Sequence, residues 1–174
     1  MTWLIIILLI VIIYAFFFLA QFYNIILNRA PFITTDREII KKIISELFVP
    51  EQATVYELGC GQAMFLRLLE KKFTKINLIG VENLFLVYLF DKIKFNILGS
   101  KIEILHKNIF DINLKDADFL YCYLSDEIMD KMVEKFKREC KVGTKVISCV
   151  FTLRNFTPYK VITVNNDKIY FYEI

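Results

Sequence analysis

Two acidic residues of this chain each follow an apolar run, and the first of them leads into a glycine-rich turn. The segment Val55–Ala63 reads Val-Tyr-Glu-Leu-Gly-Cys-Gly-Gln-Ala, and Gly80–Asn83 reads Gly-Val-Glu-Asn. The apolar runs predict two strands, and the residues between them predict a helix. Glycines let backbone N–H groups approach a ligand, and Glu82 follows by about twenty residues, where a carboxylate can bind both hydroxyls of a ribose. This unit therefore predicts a nucleoside site, in preference to a turn whose glycines merely relieve strain.

The glycine pattern argues against two common phosphate-binding motifs. A dinucleotide fingerprint needs a third glycine where this chain has Met64, and a P-loop needs a Gly-Lys-Ser/Thr that does not follow here. The remaining pattern, acid-x-Gly-x-Gly-x-small, resembles motif I of the class I S-adenosylmethionine-dependent methyltransferases, with Glu57, Gly59, Gly61 and Ala63 in its positions. The resemblance implies S-adenosylmethionine as the cofactor. Its amino group and sulfonium are cationic, so Glu57 complements them and would repel a pyrophosphate.

Further motifs resemble a narrower family of small membrane-anchored lysine methyltransferases, which modify the adenine nucleotide translocase and the c subunit of ATP synthase and include shorter prokaryotic relatives. The resemblance covers roughly residues 30–160. A Gly-Tyr/Val-Glu-x-Asn pattern matches at Glu82, with Asn83 nearby, and the segments Asp126–Met129 and Lys145–Phe151 resemble two later motifs. The family's Pro-Phe/Tyr-x-x-Thr-like motif is matched by Pro31, Phe32 and Thr34 or Thr35. The chain departs from the family in lacking the proline before Glu127 and in having Asn108 where an Asp near the adenine is usual.

The resemblance implies a role for each matched residue. Glu57 orients the methionine portion, Glu82 holds the ribose, and Asn108 meets the adenine together with the backbone of Ile109. The predicted cofactor-binding residues are Glu57, Gly59, Cys60, Gly61, Ala63, Glu82, Asn83, Asn108, Ile109 and Tyr123. The predicted acceptor-binding residues are Pro31, Phe32, Thr34, Thr35 and Tyr121. In-line methyl transfer needs alignment more than acid–base groups, so no catalytic base is assigned.

The elements that must position these residues alternate between strand and helix. This alternation predicts an α/β fold, a Rossmann-like sheet of seven strands in which the parallel strands are covered by helices on both faces. The predicted strands are 53–58, 76–82, 101–105, 117–123 and 143–151, with helices near 62–72, 84–98 and 126–139. A terminal antiparallel hairpin is predicted from two strand-like segments that flank Asn165-Asn166-Asp167.

Two helical segments carry more specific expectations. Thr35 and Glu38 have the spacing of a capping box and precede an amphipathic helix at about 35–48. The segment Leu84–Phe90 is apolar on all sides. We expect it to pack under the sheet, and the alternative is that part of it touches lipid or a membrane substrate.

The N-terminal segment is long, apolar and uncharged. The first 28 residues contain no Asp, Glu, Lys or Arg, and a helix over 3–27 would measure roughly 37 Å, enough to cross a hydrocarbon core of about 30 Å. We expect a single-pass anchor over 1–28, a linker and amphipathic helix over 29–50, and the cofactor-binding domain over 51–174. A cleaved signal peptide is the alternative, but the sequence lacks its basic start and its cleavage pattern. Basic residues begin only at Arg29, which predicts a cytoplasmic C-terminal domain, at a prokaryotic cytoplasmic membrane or alternatively a mitochondrial one.

Charge and cysteine content narrow the possible partners. A net charge of +3 is too small to indicate nucleic acid binding and suits a surface that faces anionic headgroups. The four cysteines have no metal-ligand spacing, so we expect no metal, and His106 is expected to be structural. The favoured function is lysine methylation of a membrane protein. The alternatives are methylation of a lipid or quinone, and a non-catalytic membrane module that binds a partner.

Overall fold

The computed structural model describes residues 2–26 and 35–174. The chain divides into two compact units, Met1–Ile33 and Thr34–Ile174. The predicted acceptor residues Pro31, Phe32 and Thr34 lie outside the described residues, as does the predicted boundary between anchor and linker at residue 28.

In the first unit, the described residues form one helix, α1, which runs over Thr2–Ile26. Its side chains from Thr2 to Leu19 are all exposed, so in this structure it is not the core helix of a globular domain. By length and composition it can cross a membrane, and a signal sequence near an N-terminus would meet the same criterion.

The second unit is built on a seven-stranded sheet with the order β3-β2-β1-β4-β5-β7-β6. The strands β1 to β5 pair with one another in parallel, and β7 pairs antiparallel with both β5 and β6. This confirms the predicted Rossmann-like sheet with its terminal hairpin. The strands are β1 Thr54–Leu58, β2 Asn77–Glu82, β3 Glu103–His106, β4 Phe119–Cys122, β5 Lys145–Cys149, β6 Lys160–Val164 and β7 Asp167–Glu173, and the helices are α2 Arg37–Glu46, α3 Met64–Lys72, α4 Phe85–Leu98 and α5 Asp126–Glu139.

Alternate residues of the central strands supply two separate cores. Val55 of β1 packs in a cluster with α2 and α3, whereas the next residue, Tyr56, packs in a cluster with α5 on the opposite face of the sheet. Every residue of β1 is buried, as expected for a parallel strand covered on both faces. The carboxyl ends of β1 and β4, where the order of strands reverses, therefore form the edge at which open α/β sheets bind ligands.

The predicted capping box at the start of α2 is wrong. The N-cap is Asp36, whose Oδ1 accepts a hydrogen bond from the N–H of Glu38 at 2.7 Å. The hydroxyl of Thr35 instead lies 2.7 Å from the hydroxyl of Tyr121 in β4. An aspartate caps a helix as well as a threonine does, so local spacing could not decide whether Thr35 or Asp36 is the N-cap. The contact between Thr35 and Tyr121 of the sheet leaves Asp36 as the cap.

The expectation that Leu84–Phe90 packs under the sheet is wrong for four of its residues. Phe85, Leu86, Leu89 and Phe90 are exposed, and in α4 only Asp91 and Phe95 are buried. Asp91 is turned inward, where its Oδ1 accepts an ion-paired hydrogen bond from Lys94 at 3.0 Å. The segment Leu84–Phe90 is apolar on all sides, so it has no periodicity from which its buried side could be predicted.

A buried lysine holds the loop between β3 and β4 against α5. Lys135 is 4% exposed, and its ammonium donates to the carbonyls of Phe110 at 3.0 Å and Ile112 at 2.5 Å, and to Glu139 at 2.7 Å. This loop begins next to Asn108, so the ammonium also fixes the segment that carries the predicted adenine contacts.

Replacing Lys135 by methionine should lower the free energy of unfolding by about 2–4 kcal/mol, because buried carbonyls and a carboxylate lose their partner. The matched control is Lys131→Met in the same helix. Lys131 is exposed, and among the described residues its ion-pair partner is exposed Glu127, so its loss should change stability by less than about 0.5 kcal/mol. Urea unfolding followed by circular dichroism measures both, and equal effects would contradict the role of Lys135.

Candidate active site

The turn after β1 has a backbone that few side chains tolerate. Gly59, Gly61 and Ala63 all have positive φ, at 69°, 52° and 50°. A Cβ on Gly59 would also lie 2.9 Å from Cδ2 of Leu124, in the loop after β4. Glycine at this position therefore serves both the left-handed backbone and the close approach of the neighbouring strand's loop.

Glu57 closes the turn from the strand side. Its carboxylate accepts a hydrogen bond from the N–H of Leu66, in the first turn of α3, at 3.2 Å. The N-cap of α3 is Ala63, which has no capping side chain, so Glu57 supplies the acceptor from nine residues before Leu66. Glu57 is only 6% exposed, and this burial raises its pKa to about 8, although the N–H groups of Leu66 and Phe65 oppose the shift.

Glu82 closes the same turn from the neighbouring strand. One carboxylate oxygen accepts from the N–H of Gly61 at 2.9 Å, and the other accepts from the N–H of Leu84 at 2.8 Å. Burial raises the pKa of Glu82, and these N–H groups partly offset the shift. Each oxygen has a further lone pair, so the carboxylate can still accept hydrogen bonds from two ribose hydroxyls.

The other predicted cofactor residues fall into two groups. Cys60 lies within the turn, and its N–H donates to the carbonyl of Val81 at 2.9 Å. Burial raises the pKa of its thiol well above the ordinary value, so the thiol stays protonated. Beyond β2 and β3, the carbonyl of Asn83 lies 3.1 Å from Nε2 of His106. Asn108 is exposed and accepts from the N–H of Phe110 at 3.1 Å, and Ile109 is buried in the core.

A cavity of about 150 Å³ lies at the carboxyl ends of β4 and β5. Two of the side chains that line it are carboxylic acids, Asp36 and Asp167. Val150 has a φ of 70°, which is a strained conformation for a β-branched residue. The lining residues are Thr35, Asp36, Ile39, Tyr123, Cys149, Val150, Asp167 and Ile169.

Tyr121 lies in the core beside this cavity. Its ring stacks on Phe65 with centroids 4.1 Å apart, and its hydroxyl is within hydrogen-bond distance of Thr35 Oγ1 and of Cys149 Sγ, at 3.2 Å. Tyr121 is fully buried and is not among the cavity-lining residues, although Thr35 and Cys149 are. Its position allows it to hold the side chains that shape the cavity.

Sequence reasoning missed several residues that shape the edge of the sheet at the carboxyl ends of its parallel strands. Asp36 and Asp167 lie far apart in the chain, in a helix cap and a hairpin, and only the fold brings them into one cavity. Gly80 was also missed as a packing position, although a Cβ there would lie 2.6 Å from Ile104 and 2.8 Å from the sulfur of Cys60. A glycine inside an apolar strand was the available signal.

Within residues 2–26 and 35–174, no group of three or more His, Cys, Asp or Glu residues could hold a metal ion.

The sequence matches the family described as ANTKMT methyltransferase domain over residues 57–160, which is more than half of the chain. The chain belongs to this family. It is therefore an S-adenosylmethionine-dependent methyltransferase, and a non-catalytic module is no longer an alternative. A protein-lysine N-methyltransferase of Saccharolobus islandicus (strain REY15A) is similar at 25% identity over 150 residues, which cover 83% of this chain and 93% of that protein.

Solved structures share the fold of this methyltransferase. An RNA methyltransferase of Salinibacter ruber in complex with S-adenosyl-L-homocysteine matches with a TM-score of 0.76 and 17% identity, covering 82% of this chain and 94% of that one. A precorrin-6y C5,15-methyltransferase of Geobacter metallireducens GS-15 matches with a TM-score of 0.66 and 12% identity, covering 84% and 92%. At these identities the likeness shows the fold alone.

Glu82→Ala should weaken S-adenosylmethionine binding by about 10²-fold or more, because two hydrogen bonds to a charged acceptor, each worth about 1.5–3 kcal/mol, would be lost. Calorimetric titration measures the affinity, and circular dichroism checks the fold. Glu103→Ala, at an exposed position of β3, serves as the control. Unchanged affinity in the Glu82 variant would refute its role at the ribose.

Cofactor binding at pH 7 should release about one proton per molecule bound. With a pKa of about 8, the Glu57 carboxyl is mostly protonated in the free protein, and a cationic ligand lowers that pKa by favouring the ionised form. Calorimetry in buffers of different ionisation enthalpy measures the release. Glu57→Gln should abolish it, and the same release in that variant would show that the proton comes from another group.

Proposed function

We propose that this enzyme is a protein-lysine N-methyltransferase, anchored by α1, that acts on a membrane protein at the cytoplasmic face. In this proposal the turn at Gly59 and Gly61 receives the methionine portion of S-adenosylmethionine, Glu57 complements its charge and Glu82 binds its ribose. The acceptor lysine enters the cavity at the ends of β4 and β5. The observation that carries the proposal is this cavity, which has two carboxylic acids and lies close to the turn.

The position of the cavity suits methyl transfer. The turn follows β1, and the cavity follows β4 and β5, so only one strand separates β1 from β5. Neighbouring strands lie about 4.8 Å apart, which places the ends of β1 and β5 about 10 Å from each other. That distance can be bridged by the methionine portion of the cofactor together with the end of a lysine side chain.

The lining of the cavity suits a cation with an aliphatic stem. Asp36 and Asp167 attract an ammonium, whereas Ile39 and Ile169 can pack against methylene groups. The same carboxylates would repel the phosphates of a nucleic acid. Tyr123, which we first assigned to the cofactor, lines this cavity, so we now propose it as an acceptor contact.

The acceptor must lose a proton before it attacks the methyl group. For a lysine with an ordinary pKa near 10.4, this costs about 4 kcal/mol at pH 7.4. Carboxylates favour the ammonium form of the lysine, so they help it to bind but do not help it to lose a proton. The positive sulfonium of the cofactor disfavours the ammonium and therefore favours the neutral amine. We therefore propose that Asp36 and Asp167 act in capture of the lysine, and that burial beside the cofactor favours the neutral amine.

The similarity to a protein-lysine N-methyltransferase supports lysine as the acceptor, because it extends over nearly the whole of that protein. The membrane part of the proposal rests on α1, whose exposed apolar side chains suit lipid. Its orientation rests on the basic residues Arg29, Arg37, Lys41 and Lys42, which all follow the helix.

Membranes incubated with radiolabelled S-adenosylmethionine and the full-length enzyme should carry the label in protein, as N-methylated lysine after acid hydrolysis. The Asp36→Asn/Asp167→Asn variant should raise the KM for the protein acceptor by about 10-fold or more, since two nearby charges are removed. Asparagine also caps helices well, so α2 should be retained. Glu134→Gln on α5, exposed and remote from the cavity, is the control.

Affinity for S-adenosylmethionine should be the same in all three proteins, which separates acceptor capture from cofactor binding. Label found only in the lipid extract would refute the lysine proposal and favour a lipid or quinone acceptor. An unchanged KM in the double variant would refute the role of the cavity.

A further inference from the structure

Helix α4 exposes a continuous apolar surface, which we call the α4 face. Its side chains are between 38% and 79% exposed: Phe85, Leu86, Leu89, Phe90, Ile93 and Ile97. Spacings of three and four residues place them along one side of a helix about 21 Å long. A contiguous patch of this kind marks an interaction site, whereas singly scattered apolar residues would not.

The orientation of α4 is the reverse of that expected for a helix that faces water. Its only acidic residue, Asp91, is fully buried, and its Oδ2 has no hydrogen-bond partner among the described residues. Only Phe95 among the apolar residues of α4 is buried. The fold therefore keeps a carboxyl group inside while Phe90 and Ile97 remain outside, an arrangement that suits a face covered by an apolar partner.

The charges around the α4 face favour an anionic lipid surface as its cover. Lys92 lies on α4 itself, Lys101 follows its C-terminal glycine, and Lys107 follows β3, the strand against which α4 packs. No exposed acid lies on α4. Each lysine beside an anionic bilayer adds electrostatic attraction, but complete burial of one Phe, Leu or Ile side chain contributes more than one such lysine does. The apolar side chains therefore supply the larger share of binding.

The short connection between α1 and the second unit also supports lipid as the partner of the α4 face. Only residues 27–34 join α1 to Thr35, and eight residues span at most about 28 Å. If α1 crosses a membrane, as proposed above, this tether keeps the domain close to lipid, so that even a weak contact is occupied.

We propose that the α4 face inserts into the surface of an anionic bilayer, as a second membrane contact distinct from α1. This contact would also reach the cofactor site. The N–H of Leu84, which immediately precedes α4, donates to Glu82, and the ring of Phe85 lies edge-on to His106 with centroids 5.5 Å apart. Insertion of the first turn of α4 would thus hold the ribose-binding edge of the sheet at the membrane surface.

The test uses the full-length enzyme with Trp3→Phe, so that a single introduced tryptophan reports its own position. Phe90→Trp places the reporter on the α4 face, and Ile97→Trp repeats the measurement at a second exposed site. Val142→Trp is the matched control, because Val142 is apolar and 97% exposed but lies in the turn before β5, which β2, β1 and β4 separate from β3. Each protein is reconstituted in nanodiscs of anionic phospholipid with brominated or ordinary acyl chains.

Brominated lipid should quench on the order of half of the fluorescence at positions 90 and 97 and almost none at position 142. Quenching of both α4 reporters by aqueous iodide but not by brominated lipid would overturn the proposal. Protection from both quenchers would overturn it as well, because a second copy of the chain would then cover the face. The measurement needs no methyl transfer, so its result is independent of the lysine acceptor.

Discussion

The architecture of this methyltransferase depends on two buried carboxylates that accept backbone N–H groups from the glycine turn and from the starts of α3 and α4. Glu57 binds the first turn of α3, and Glu82 binds Gly61 and the residue that precedes α4. Together they set the shape of the turn and the start of both helices. Their burial raises the pKa of each group because it disfavours the ionised carboxylate. A cationic cofactor would stabilise that ionised form. The same two side chains thus shape the turn and complement the charge of the cofactor.

The order of the strands places three features side by side across the width of the sheet. The glycine turn follows β1 in the centre, the α4 face belongs to the side of β2 and β3, and the acidic cavity follows β4 and β5. The proposed lipid contact and the proposed lysine cavity therefore lie on opposite sides of the cofactor turn. This separation suits an enzyme that approaches lipid with one side and receives a protein side chain on the other.

Much of the fold could be predicted because its signals are local. Apolar runs bounded by glycine or acid predicted the five parallel strands to within a few residues, and the Asn-Asn-Asp segment predicted the hairpin. The acids at the ends of β1 and β2 were predicted from their spacing to the glycines. Where local chemistry offered equivalent choices, prediction was wrong: Asp36 rather than Thr35 caps α2, and α4 turns Asp91 inward and Phe85 and Phe90 outward.

The sequence by itself determined the elements, the strand-end acids and the apolar N-terminal helix, because each depends on residues that are close together in the chain. Only the tertiary structure decided which distant residues share a site. Asp36, Tyr123 and Asp167 meet in one cavity because β4 lies beside β5, which pairs with β7, and because α2 packs on the same face. The exposure of α4 was likewise decided by packing, since its first half, up to Phe90, is apolar on every side and carries no local signal for the side that the sheet will cover.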